Sequence, residues 1–303
     1  NKSMFKSVKP FFTNTLHYAP SYNFAVNEKT IKIRIKAVRS VEKITKAMKM
    51  VAASKMRIDV QRLERGKDFG IRTVSTIFAN ESYLQKKNIN IGVKKTLLVP
   101  ITSDRGLCGG INSTIVREIK HIIAPNRSAY KIFAIGEKGT TGLLRPAGDL
   151  IACAATELSS PMTFATAASL SHKINETASE DCEKIQLVYN EFKSIISSIV
   201  RRVDVWPKKQ FAQHFKHVVK YETSEPDKEY TQQYYYELYS GAMMYHALLH
   251  NAASEQSARM NAMENASKNA KEILDKLTLL YNKARQARIT MELVEVVSGA
   301  NAL

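Results

Sequence analysis

The residues best placed to do chemistry in this 303-residue sequence are Thr102-Ser103-Asp104-Arg105-Gly106-Leu107-Cys108-Gly109-Gly110. They follow an apolar run, Thr96 to Ile101, and precede a stretch of helical spacing, Ile111 to Ile123. A phosphate-binding loop sits in such a place, because free amides at a helix start attract anions. The spacing G-x-x-G-G matches neither G-x-x-x-x-G-K-S/T nor the dinucleotide pattern G-x-G-x-x-G. A tight turn from strand to helix accounts for the glycines without a ligand. His246 and His250 have the i, i+4 spacing of a zinc pair, yet no HExxH glutamate lies between them and no third ligand is evident. His214 and His217 fall short in the same way. Cys108, Cys153 and Cys182 are odd in number and form no Cys-x-x-Cys pair, which argues against a disulfide framework and fits a reducing compartment. The cluster Tyr234-Tyr235-Tyr236-Glu237-Leu238-Tyr239 offers bases a stacking platform on one reading and packs against a neighbouring domain on the other. With no Ser-His-Asp order, activated cysteine or paired carboxylates, the sequence predicts no catalytic residue, no cofactor site and no metal site.

The elements that position these residues begin with two long helices. From Ser254 to Leu303 a seven-residue repeat runs in two registers, Met263, Ala270, Leu277, Ala284 and Met291 in one and Ala266, Ile273, Leu280, Ala287 and Val294 in the other. These are the a and d positions of a coiled coil. Neither proline nor glycine intervenes before Gly299, so the segment predicts one helix of about 45 residues, about 68 Å long. A second stripe, Ile31, Ile35, Val38, Val41, Ile44, Met48 and Val51, marks an N-terminal helix reaching past Gly66 toward Asn80. Helices at opposite ends of a chain with a compact segment between them close most simply as an antiparallel pair.

Charge is unevenly placed. Residues 1–95 hold 21 Lys and Arg against six Asp and Glu, so nearly all of the formal +17 lies in the first third. Nucleic acid, anionic lipid and an acidic protein surface all fit that sign. No run of about 18 apolar residues exists, so a bilayer span is not expected. Residues 1–27 carry Lys2, Lys6 and Lys9 and no acid, which leaves two readings open: a transit-peptide remnant or a basic extension of the mature chain.

Between the helices, strands alternate with helices. Thr96 to Ile101, Tyr130 to Ile135, Ile185 to Phe192 and Ile195 to Val205 read as strands, and Ile111 to Ile123 and Phe164 to Ala178 as helices. The expected fold is α/β: a long antiparallel coiled coil of the N- and C-terminal helices plus a small Rossmann-like α/β domain. The expected organisation is residues 1–28 as extension, 29–90 as N-terminal shaft helix, 91–206 as α/β domain, 207–230 as linker and 231–303 as C-terminal shaft helix.

Three blocks then carry a resemblance: KITKAMKMVAASKM (Lys43 to Met56), TSDRGLCGGINS (Thr102 to Ser113) and the whole run from Ser254 to Leu303. Together, and in this order, they resemble the gamma-subunit family of F-type ATP synthases, of the mitochondrial kind. Asn301 departs from the family's usual alanine, and residues 207–250 match only loosely. The resemblance implies a left-handed coiled coil inside a ring of three alpha and three beta subunits, with the α/β domain at the base near the membrane c-ring and the delta- and epsilon-type central stalk subunits. It implies a central rotor shaft that couples proton-driven rotation to conformational cycling of the beta subunits, and that is not itself a catalyst. The partner-binding residues it implies are Lys43, Lys46, Met48 and Lys49 against acidic lever loops, and Arg285 and Gln286 against a beta-subunit loop. The location it implies is the matrix side of the mitochondrial inner membrane. The rival class is a basic coiled-coil nucleic-acid-binding or scaffold protein, which would need base-reading residues on the face that carries Met48, Val51 and Met56.

Overall fold

The computed structural model describes residues 28–69, 74, 77–78, 95–158, 160–178, 182–215, 219 and 228–301. The N-terminal extension, residues 1–27, and His217 lie outside the described residues. The chain divides into two compact units, residues 28–40 with 271–301, and the described residues of 41–270.

The larger unit is built on a five-stranded sheet of β1 (Thr96–Pro100), β2 (Tyr130–Ile135), β3 (Ile151–Ala155), β4 (Lys184–Phe192) and β5 (Ser198–Val205), in the order β3-β2-β1-β4-β5. β1 runs parallel to β2 and β4, β2 runs parallel to β3, and β5 returns antiparallel to β4 with Ile185 opposite Val205. The central strands are apolar without alternation, as parallel strands covered on both faces must be. On one face Leu98, Ile132, Ala134 and Val188 pack with Ile115 and Ile119 of α2 (Ile111–Ile123) and Leu143 of α3 (Glu137–Ala147). On the other, Leu97, Val99, Phe133, Leu187 and Tyr189 pack with Ala167 and Ile174 of α4 (Phe164–Ala178). The same cluster takes in Met244, Ala247 and Leu248 of the C-terminal helix. β3, whose Ile-Ala-Cys-Ala-Ala is short and mostly small, gives no periodic signal and was not anticipated from the sequence.

The segment read as a linker contains a short helix, α5 (Lys208–Gln213), and its Phe211 is buried among Phe78, Tyr236 and Tyr239. The aromatic cluster therefore packs: Tyr236 and Tyr239 are buried, and Tyr234 is exposed.

The C-terminal helix, α6, runs Lys228–Asn301, so neither Gly241 nor Gly299 stops it. Gly241 has a packing reason, since a Cβ there would stand 3.0 Å from the Phe164 ring. The N-terminal helix, α1, spans Glu28–Lys67. Residues 74 and 77 are helical as well, and Phe78 forms a β-bridge with Val219. Within the larger unit, Lys49 of α1 meets Glu264 of α6, and Leu63 meets Leu249 and Ala253, so rising numbers on one helix face falling numbers on the other. Within the smaller unit, Glu28 pairs with Arg288 at 3.0 Å.

The helix pair keeps the seven-residue period with two corrections. In α6 the register Met263, Ala270, Leu277, Ala284 is buried or half-buried as expected, but Met291 is exposed. The second register holds at Ala266, which is half-buried together with Ser267, and then moves by one residue. Leu274 and Tyr281 turn inward, leaving Ile273, Leu280, Ala287 and Val294 largely outside. In α1 the inward set of the larger unit is Thr45, Ala52, Met56 and Leu63, while Val41, Ile44 and Val51 are 50%, 58% and 57% exposed. Apolar residues stand on two adjoining faces about 100° apart, and period alone cannot say which one meets a neighbour.

The rings of His246 and His250 lie edge to face, 4.4 Å apart, on the sheet side of α6, both buried beside Tyr189. Desolvation is the main cause that pushes each imidazole down to about 4, with Glu191 opposing and Lys67 adding to the shift. Below the ordinary value of 6.5 the unfolded chain takes up protons that the folded chain refuses. Stability should therefore fall as pH drops from about 6.5 to about 4 and level off below. The loss should be roughly 3 kcal/mol for the pair, after discounting for partial exposure and for coupling between the rings. Urea unfolding of the full chain at several pH values tests this, and replacing both residues (His246→Leu, His250→Gln) should flatten the curve across that window.

Candidate partner-binding surface

The loop after β1 is a tight strand-to-helix turn held by its own polar side chains. Its polar groups are engaged with one another. Asn112 Nδ2 donates to Ser103 Oγ at 2.7 Å, the Ser103 amide donates to Asn112 Oδ1, and Ser103 Oγ donates to the Arg105 carbonyl. Thr102 Oγ1 donates to the Ile135 carbonyl at 2.7 Å and accepts the Gly139 amide at 3.0 Å. The chain can approach this closely only because residues 136 and 139 are glycine: Gly136 has φ +92°, and a Cβ at Gly139 would stand 2.3 Å from Thr102 Oγ1. Asp104 takes the Glu137 amide at the start of α3 (2.9 Å) and the Leu158 amide (3.2 Å), which ties the loop to the two neighbouring segments.

In a sheet of this order, ligands bind over the carboxyl ends of the strands where the connections reverse direction, here between β1 and β4. α6 covers that place. Asn251 accepts from Asn190, Ser254 Oγ donates to the Asn190 carbonyl, and Arg259 reaches the Arg105 and Gly106 carbonyls at 3.4 Å. Arg259 is paired with Glu255, whose carboxyl is raised by burial against the opposing pull of Arg259. The loop still presents Arg105 and Leu107 outward, Leu107 at φ +63°, a left-handed conformation uncommon for leucine. Sequence reasoning did not single out these two, although they lie inside the TSDRGLCGG block.

The predicted partner-binding residues fall in both units. In the larger one, Lys43 and Lys46 are exposed on α1, Met48 is half-buried, and Lys49 is tied to Glu264 at 3.2 Å. Glu264 also accepts Lys268, and the hydrogen bonds from Lys49 and Lys268 hold its carboxyl below the usual range. Lys49 thus braces two helices, while Lys43 and Lys46 stand beside the outward Val41, Ile44 and Val51. In the smaller unit Arg285 and Gln286 are both exposed. So are Ile289, Met291, Leu293, Val294, Val296 and Val297 beyond them. The structure does not cluster His, Cys, Asp and Glu into a metal site among the described residues.

The ATP synthase family model matches residues 27–303, nearly the whole chain. The chain belongs to the ATP synthase gamma-subunit family. It is 36% identical over 279 residues to the mitochondrial ATP synthase subunit gamma of Drosophila melanogaster, covering 91% of this chain and 90% of that one. Against the mitochondrial F1 complex subunit gamma of Rattus norvegicus it is 35% identical, over 91% of this chain and 98% of that one. Among solved structures it is similar to a central stalk and c-ring chain of the Tetrahymena thermophila mitochondrial ATP synthase, with TM-score 0.68, 48% identity, and coverage of 74% of this chain and 99% of that one. A chain of the Euglena gracilis enzyme, 21% identical, shares the fold at TM-score 0.73 over 91% of this chain and 94% of that one. Gamma-subunit membership replaces the nucleic-acid and scaffold readings of the basic helix.

Two outcomes follow for this loop. Titrating the purified chain with ATP in a calorimeter should give no stoichiometric heat, because the turn from Gly106 to Gly110 lacks the lysine and hydroxyl that hold phosphate and magnesium; a one-to-one binding curve would contradict this. Asp104→Ala frees two main-chain amides and should lower stability by about 1–2 kcal/mol, read from urea unfolding, with Asp104→Asn intermediate.

Proposed function

We propose that this gamma subunit is the central rotor shaft of a mitochondrial F1Fo ATP synthase, coupling proton-driven rotation of the membrane ring to conformational cycling of the beta subunits and so to ATP synthesis. The observation that supports it most is the outward side of α1, where Val41, Ile44 and Val51 stand exposed beside Lys43 and Lys46 although apolar residues of that size normally turn inward. Such a surface suits repeated contact with partners that carry apolar and acidic groups. The shaft is not a catalyst; bond making belongs to the beta subunits of the complex.

The mechanism is population shift. An asymmetric element inside a ring of three alpha and three beta subunits meets each beta subunit with different residues, and so favours a different conformation in each. Lys43 and Lys46, with Met48 beside them, meet the acidic lever loops, and Lys49 fixes their helix against α6 through Glu264. Arg285, a planar fork of donors, suits a carboxylate on a beta-subunit loop, with Gln286 beside it. The exposed apolar residues from Ile289 onward turn within a collar, where contacts without direction leave rotation little hindered. The α/β domain engages the delta- and epsilon-type stalk subunits and the c-ring, and is the driven part. No helix among the described residues is long and apolar enough to cross a membrane, in keeping with peripheral attachment on the matrix side of the inner membrane.

Arg285→Ala tests the assignment of torque contacts. A charge-assisted bond made in one orientation and broken in the next contributes about 1.5–3 kcal/mol to the difference between rotary states, whereas the inward Ala284 is untouched. ATP hydrolysis and synthesis, normalised to the amount of assembled complex, should both fall by about tenfold or more while assembly stays near normal. Unchanged rates in both directions would remove Arg285 from the coupling path.

A further inference from the structure

His250, Ser254, Ser257 and Asn261 follow one another at steps of four, three and four, the spacing that lines residues along one side of a helix. Each bonds to main chain of the same hairpin. The Phe192 amide donates to His250 Nδ1 at 3.2 Å, and Ser254 Oγ donates to the Asn190 carbonyl at 3.0 Å. Ser257 Oγ and Asn261 Nδ2 both donate to the Ile195 carbonyl in the β4–β5 turn, the second at 2.8 Å. Four polar side chains on three turns of α6 thus register against the backbone from Asn190 to Ile195.

Apolar packing holds α6 on the sheet through Met244, Ala247 and Leu248, but such contact has no preferred direction and resists separation better than it resists slip. Hydrogen bonds behave otherwise, because they weaken steeply once the donor leaves the line of the acceptor. Turning α6 by one residue, about 100°, in one sense would bring Ala258 and Ala262 to the Ile195 carbonyl in place of Ser257 and Asn261, and in the other sense Gln256 and Met260, of which only Gln256 has a donor. Neither alanine carries a side-chain donor, and Ser254 would move away from the Asn190 carbonyl in the same step.

We propose that this row is a rotational lock, with Ser257 and Asn261 as positioning residues that transmit torque between the α/β domain and α6. The proposal rests on the rotor function above, in which the domain is driven by the membrane ring and α6 acts on the beta subunits. Load crosses the boundary between sheet and helix only when both ends are engaged. In soluble F1 the domain turns freely and the lock is unloaded; in the complete F1Fo complex every rotation stresses it.

The test compares the two assemblies carrying Ser257→Ala with Asn261→Ala. Hydrolysis by soluble F1, per assembled complex, should stay within about twofold of wild type, while ATP-driven proton pumping and ATP synthesis by F1Fo fall by about fivefold or more, about fivefold being the lower end for the loss of two neutral hydrogen bonds. Ser257→Thr, which keeps the hydroxyl, should restore most of the coupled rate when Asn261 is intact. Normal pumping and synthesis in the double variant would overturn the lock. So would an equal fall in soluble F1 hydrolysis, which marks a structural role only. Failure of the wild-type chain itself to assemble into F1 would overturn the rotor function, and the lock with it.

Discussion

Everything in the larger unit depends on how polar groups are satisfied where α6 lies over the carboxyl ends of β1 and β4. Parallel strands end there in unpaired main-chain groups, and a buried group left without a partner costs more than a formed bond returns. Many α/β folds leave that opening for a ligand. Here Asn251, Ser254 and Arg259 fill it from the chain's own last helix, and Asp104 occupies the α3 amide below. One arrangement therefore ties down the glycine-rich loop and sets where the helix stands on the sheet.

The same sequence region shows what patterns can and cannot reveal. Strands β1, β2 and β4 were legible because each holds a short apolar, β-branched or aromatic core such as Leu97 to Val99, Ile132 to Ile135 and Leu187 to Tyr189, and α2 was legible to the residue because its isoleucines recur at helical steps. β3 was not, since alanine and cysteine are at home in either element. The row from His250 to Asn261 was also hidden: serines and asparagines at these steps look like an ordinary solvated face, and only the position of the hairpin makes most of them interior. The histidine pair seemed a poor zinc site in sequence, and it is a buried pair of neutral rings instead.

The helix pair illustrates a limit of a different kind. A seven-residue repeat in α6 predicted the inward positions Met263 and Ala270. It placed Ile273 and Leu280 inward, whereas Leu274 and Tyr281, one residue on and equally able to pack, turn inward instead. In the first turns of α1 within the larger unit the choice went against size, with Thr45 and Ala52 inward and Val41, Ile44 and Val51 outward, while Met56 and Leu63 farther along turn inward. The small inward residues Thr45 and Ala52 let two backbones approach closely there, so Val41, Ile44 and Val51 remain for other surfaces. Lys43 and Lys46 were legible as exposed, but the engagement of Lys49 with Glu264 depends on a residue more than 200 positions away.

The excess of lysine and arginine on α1 has a mechanical side. Coulomb attraction between exposed charges fades over roughly 8 Å at physiological ionic strength, far more gradually than a hydrogen bond, which is lost within a fraction of that distance. Seen around the axis of a turning helix, a band of exposed lysines therefore makes a broad, shallow energy profile with no sharp minimum. Such a profile keeps a charged element centred among acidic neighbours without stopping it at any angle, as a bearing does. Sharp stops have to come from the few groups that bond at short range, such as a guanidinium. On the proposed function, the basic face and the directional contacts are thus separable parts of one motor: the first lowers friction, and the second sets the step.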